Sequence, residues 1–81
     1  MRTEASKHFD REYTKLPAPI RKQVDKQLVL LVLDLQYPSL RAKKYDESRG
    51  IWQARITDDY RLYFQIIEDT YYLLTVVKHP K

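Results

Sequence analysis

The sequence predicts an α+β domain in which a helical hairpin comes first and a set of antiparallel strands follows. Two contrasts in the pattern carry that reading. From Ser6 to Leu35 the apolar residues recur at helical spacing, whereas from Lys43 to Lys78 they alternate and are rich in aromatic and β-branched types. Between these halves stands Tyr37-Pro38, a helix stop. At 81 residues the chain has room for one domain, expected to span 1–81.

Phe9, Tyr13 and Leu16 lie at i, i+4 and i+7, one stripe of a short helix that must end near Leu16-Pro17. Pro19 then falls where the first turn of a second helix tolerates proline. Ile20, Val24, Leu28, Leu31 and Leu35 continue one face of that helix, and Val32 widens it. Strands are expected over Ile51 to Thr57, Tyr60 to Ile67 and Thr70 to Lys78, with turns at Asp58-Asp59 and Glu68-Asp69. Met1 to Ala5 is a further short strand candidate. Lys43-Lys44-Tyr45 reads either as an edge strand or as a basic loop.

Alternation assigns the faces. Trp52, Ala54 and Ile56 form one apolar side, matched by Leu62, Phe64 and Ile66. Setting Ile56 opposite Leu62 places Thr57 opposite Arg61 and leaves the three-residue loop Asp58-Asp59-Tyr60. A two-residue turn would push Arg61 into the core, at the cost of burying a charge. The other face then carries Gln53, Arg55, Thr57, Arg61, Tyr63 and Gln65. In the last strand Tyr71, Leu73 and Val77 compete with Tyr72, Leu74 and Val76 for the core. The preferred register turns Leu74 and Val76 inward, which sets His79 in parity with Arg55 and Arg61.

Composition narrows the function classes. The chain has no cysteine, which excludes disulfides, thiolate nucleophiles and Cys-ligated metals. It shows no P-loop, no dinucleotide fingerprint and no metal-ligand spacing, so neither metal nor cofactor is expected. No apolar run approaches the roughly 20 residues of a membrane span. The N-terminus does not read as a signal peptide, and the expected location is cytoplasmic. Fifteen Lys and Arg against eleven Asp and Glu, net +4, suggest an anionic partner, either nucleic acid or an acidic protein segment.

The residues that could act on such a partner are Arg55, Arg61 and His79. Arginine suits phosphate because its planar fork donates parallel, charge-assisted hydrogen bonds. Histidine exchanges a proton near neutral pH. RNA cleavage through its own 2′-hydroxyl needs a base, cations for the phosphate and an acid, with no metal. The competing structural readings are that Arg55 and Arg61 solvate an open sheet face or pair with Asp58 and Asp59, and that His79 is a solvated terminus. The run Arg41, Lys43, Lys44 reads as a solvated basic loop or as a phosphate contact.

The ordered set Lys15-Leu16-Pro17, a leucine-rich second helix, Pro38-Ser39-Leu40-Arg41-Ala42-Lys43-Lys44, Gly50-Ile51-Trp52-Gln53-Ala54-Arg55-Ile56, Thr57-Asp58-Asp59-Tyr60-Arg61-Leu62 and Val76-Val77-Lys78-His79 resembles the RelE/ParE toxins of type II toxin–antitoxin systems. The resemblance implies a helical hairpin packed on a twisted, mainly antiparallel sheet of about four strands. It implies a ribosome-dependent mRNA endoribonuclease in which Arg61 stabilises the reacting phosphate and His79 is the acid; the polar face adds Arg55 as a second phosphate clamp and leaves His79 as acid or base. Lys43, Lys44, Arg41 and Lys78 would then hold RNA. The implied partners are a cognate antitoxin, the ribosome and mRNA, and operator DNA through the toxin–antitoxin complex, with no membrane. The alternatives are a ParE-like inhibitor of DNA gyrase without chemistry, or a relative that only binds its antitoxin. The chain departs from the family pattern where paired lysines are expected, at Trp52 and Ala54, and where a glutamate base is expected, at Ala42.

Overall fold

The computed structural model describes residues 1–79. In chain order it contains β1 (Arg2–Ala5), α1 (Lys7–Thr14), α2 (Ala18–Leu33), a 3-10 turn (Pro38–Leu40), β2 (Lys43–Asp46), β3 (Ile51–Arg55), β4 (Tyr60–Ile67) and β5 (Thr70–Lys78). The strands form one sheet in the order β1-β5-β4-β3-β2. All neighbours are antiparallel except β1 and β5. The sheet therefore has five strands rather than about four, because both doubtful segments, Met1 to Ala5 and the basic stretch at Lys43, supply an edge strand.

Each helix starts for a local reason. Ser6 caps α1, its hydroxyl accepting from Phe9 N at 2.9 Å, which satisfies one of the open amides of the first turn. Pro17, with φ −57°, leads into α2, and Pro19 sits in its first turn. The helix closes at Leu33, with Asp34 extended at its C-terminus. Val24 and Leu31 of α2 are fully buried, and Ile20, Leu28 and Leu35 pack at the border of the core. Against them stand Ala54, Ile56, Leu62 and Phe64 from the sheet, so one sheet face is dry and the other stays open.

Two registers differ from the expected ones. Arg55, not Thr57, lies opposite Arg61, and Ala54, not Ile56, opposite Leu62. A shift of two residues returns every side chain to the same face, so burial cannot choose between these registers. The loop's own bonds choose: Ile56 N and Thr57 N both donate to Tyr60 O, at 3.1 and 3.4 Å, and Asp59 N donates to Thr57 Oγ1 at 3.2 Å. In β5 the contest between the two apolar sets is resolved by a bulge. Tyr63 pairs with Thr75 but Phe64 with Leu73, leaving Leu74 as the extra residue. Tyr71 and Leu73 are therefore buried before the bulge and Val76 after it, and Leu74 is not in the core as expected. Ser6 ties the bulge to α1, its amide donating to Leu73 O and its hydroxyl to Leu74 O, both at 3.0 Å.

Gln27, 5% exposed, is a polar residue on the inner side of α2, three residues after Val24 and four before Leu31. Its amide nitrogen donates to Arg55 O at 2.8 Å and to Ser39 O at 3.2 Å, pinning β3 and the 3-10 turn to the helix. Replacing it by leucine keeps the volume but removes the one side-chain donor that both carbonyls share. Gln27→Leu is expected to lower unfolding free energy by about 1–3 kcal/mol in urea titration. A loss below about 0.5 kcal/mol would mean that the bridge is not structural.

Candidate functional site: a basic hollow on the open sheet face

The open face is organised in rows that cross the sheet. Lys43, Gln53, Tyr63 and Thr75 form one row, and Arg55, Arg61 and Val77 the next. Gln53 Nε2 donates to Tyr63 Oη at 2.9 Å, and Tyr45, at the irregularity in β2, meets the Tyr63 ring edge-on with centroids 4.9 Å apart. These contacts leave Gln53 only 8% exposed although it lies on the open side.

Beside this row Arg41, Lys43, Gln53, Arg55 and Arg61 line one hollow of about 180 Å³. Four cations thus meet around one amide. Arg55 and Arg61 are direct cross-strand partners, an arrangement in which like charges repel. The loop between them offsets that repulsion. Arg55 pairs with the Asp58 carboxylate through one terminal nitrogen. Arg61 donates from its own terminal nitrogen to the carbonyls of Thr57, Asp58 (3.2 Å) and Tyr60 (3.0 Å). All three bonds leave from the same nitrogen, so the turn does not use the remaining donors of that fork.

Arg41 reaches the hollow from an unusual backbone. It follows the 3-10 turn in the left-handed region, φ 46° and ψ 42°, where glycine or asparagine is the ordinary occupant. An L residue with a Cβ held there costs roughly 1–2 kcal/mol.

The other expected site residues lie elsewhere. Lys44 pairs with Trp52 on the helix side of the sheet, its ammonium 5.9 Å from the centre of the indole ring. Lys78, opposite Tyr60, shares that side and is exposed. His79 is exposed just past β5, its amide donating to Asp59 O, and it does not line the hollow. Trp52 and Ala54, set by sequence against the family's paired lysines, have core parity, and the open-face residues of that strand are Gln53 and Arg55. Gln53 and Tyr63 are members of the site that residue type alone does not single out, since neutral side chains on an alternating strand read as solvated surface. No group of three or more His, Cys, Asp or Glu among the described residues is arranged to hold a metal.

Arg41→Gly should separate backbone strain from function. We expect unchanged or higher stability by thermal melting, because relief of strain competes with the greater freedom of glycine in the unfolded chain. Phosphate binding by titration should weaken at the same time. A protein that loses both together would show that Arg41 is held for packing.

No family model and no curated protein matches this chain by sequence. Solved structures do match in three dimensions. A YoeB/ParE toxin from Agrobacterium tumefaciens superposes with a TM-score of 0.82 at 12% identity, covering 99% of this chain and 100% of that one. A chain of the intact Escherichia coli RelBE toxin–antitoxin complex gives 0.75 at 18% identity, covering 99% and 98%. One from the YoeB-YefM complex of Staphylococcus aureus gives 0.79 at 13%, again covering 99% and 98%. With two helices on one face of a five-stranded mixed sheet, this chain has the fold of the RelE/ParE toxins.

Proposed function

We propose that this protein is the toxin of a type II toxin–antitoxin system and that it cleaves mRNA on the ribosome, using the basic hollow to hold the scissile phosphate. The observation that carries the reading is the cross-strand pair Arg55–Arg61, set with Arg41 and Lys43 around one concave site. Like charges placed face to face cost stability, and an anion between them recovers it.

In this reading Arg61 and Arg55 donate to the non-bridging phosphate oxygens, whose negative charge grows as the 2′-oxygen, its proton passed to water, attacks phosphorus and the bond to the 5′-oxygen breaks. Arg41 and Lys43 add charge from the neighbouring edge. Fixed donors aimed at developing charge in a partly desolvated site are a large source of rate enhancement. Gln53, held by its hydrogen bond to Tyr63, lines the hollow and orients the ribose or base. His79, on the same sheet parity but outside the hollow, is the proton donor only if substrate brings the leaving oxygen to the end of β5. Neutralisation falls to a cognate antitoxin. Two of the fold neighbours are chains of the RelBE toxin–antitoxin complex and of the YoeB-YefM complex.

A second reading is a toxin that binds DNA gyrase and does no chemistry. The lining of the hollow favours it, since those five side chains include neither imidazole nor carboxylate.

Expression of wild type and Arg61→Ala, followed by primer extension on a translated message, decides between them. Cuts that fall by about 10²–10³-fold in a variant with an unchanged melting curve would support the nuclease. Growth arrest without cuts, together with inhibited supercoiling in vitro, would support gyrase binding, and full cutting by Arg61→Ala would overturn the assigned clamp.

Asp58 gives a second check. Its carboxylate is 85% exposed and occupies Arg55, so it competes with any phosphate for that guanidinium. Asp58→Asn is expected to tighten single-stranded RNA binding by about 1.5- to 5-fold, the range of a solvent-exposed ion pair. Weaker binding in that variant would mean that Asp58 orients Arg55 rather than competing for it.

A further inference from the structure

Arg55 is shared by two hollows. The Arg55–Asp58 pair forms part of the wall of a second and larger one, about 340 Å³, between α2 and the β3–β4 loop. Gln23 and Lys26 line it from the outer side of the helix, Ser39 from the 3-10 turn, and Arg55, Thr57 and Asp58 from the sheet and loop. Gln27 and Ile56 complete a lining that is more polar than apolar. The two cations Lys26 and Arg55 stand against the single carboxylate Asp58, which Arg55 already engages. The net character is therefore that of an anion site with hydroxyl and amide donors around it.

Ser39 adds an independent indication. Its hydroxyl oxygen is buried and has no hydrogen-bond partner among the described residues, although buried polar atoms are nearly always paired. Its carbonyl meanwhile accepts from Gln27, so this segment is held in place from the helix side. Ser39 itself lines the hollow, so rotation about its side-chain torsion would bring this unpaired donor to an acceptor brought by a ligand.

The geometry points to this hollow as a second nucleotide subsite, which takes the phosphate flanking the one held between Arg55 and Arg61. The inference rests on the RNA-binding reading given above and deepens it. A single strand that passes Arg55 would place successive phosphates on its two sides, with Arg41, Lys43 and Arg61 holding one and Lys26 with the Ser39 hydroxyl holding the next. Phosphate contacts of this kind fix the register of the strand without reading its bases.

The test measures binding of 2′-O-methyl oligouridylates, which cannot be cleaved through a 2′-hydroxyl, to the full chain by fluorescence anisotropy. A dinucleotide carries one internucleotide phosphate and fills the first hollow only, whereas a tetranucleotide reaches both. Lys26→Gln should weaken the tetranucleotide by about threefold or more and lower the slope of log affinity against log salt by about 0.7, leaving the dinucleotide unchanged. Lys22→Gln, an exposed lysine on the same helix that does not line the hollow, should change neither. Ser39→Ala should melt at the same or a higher temperature, because an unpaired buried hydroxyl is removed, and yet bind the tetranucleotide more weakly.

Wild-type affinity for the tetranucleotide that is unchanged in both Lys26→Gln and Ser39→Ala would overturn the subsite while leaving RNA binding intact. Equal weakening by Lys22→Gln and Lys26→Gln would reduce it to diffuse attraction and overturn it as well. A wild-type chain that binds neither oligonucleotide would remove the underlying reading and this one with it.

Discussion

Two arginines, Arg55 and Arg61, are cross-strand partners in β3 and β4, and much of the local structure answers the repulsion between like charges so placed. Asp58 takes one and the carbonyls of the 57–60 loop take the other. The loop can do so only because it is longer than a tight hairpin turn. Its extra residues bring a carboxylate and three carbonyl oxygens to the end of the strands, where the charges are. A shorter connection would keep the hydrophobic faces but lose the place where two cations can be held together. Charge of one sign is thus concentrated on an open surface at a cost met by local hydrogen bonds.

The same loop is anchored from below. Gln27 reaches from α2 to the carbonyl of Arg55, the last residue of β3, and to Ser39 in the turn that delivers Arg41. One buried amide therefore references both sides of the basic hollow to the helix layer. A site built on strand ends and a short turn keeps its geometry only if those ends are fixed to something rigid. Here the rigid element is α2, with Val24 and Leu31 fully buried on either side of Gln27. Arg41 in a left-handed conformation shows the complementary cost: a backbone position suited to glycine carries instead a long cation that points into the site.

Fold neighbours at 12–18% identity superpose over nearly the whole chain, which is expected if the architecture depends on pattern more than on particular side chains. Short helices with one apolar stripe and strands with one apolar side can be written in many ways. The residues of the open face are under no such packing constraint. That is where this chain carries Gln53 and Arg55 at the strand positions open to solvent, and it is there that function has to be argued from the site.

How much of this was legible without the fold follows from the physics of each signal. Helical spacing and alternation determined by themselves the order of the two helices and the last three strands, the limits of β4 and β5, and which side of β3 and β4 faces the core, because burial penalises a wrong face at every residue. They also separated Arg55 and Arg61 from the core and placed them on one surface. Only tertiary structure decided that these two arginines are opposite each other, since a two-residue slip is invisible to burial and was settled by hydrogen bonds within the loop. The bulge at Leu74 was likewise hidden, because apolar residues on both sides of β5 let either parity satisfy the pattern. Charge alone groups Lys44 with Arg41 and Lys43 in one basic run, but strand parity turns Lys44, like Lys78, to the helix side. Sequence specifies which residues are charged, and the pairing of strands decides which charges share a site.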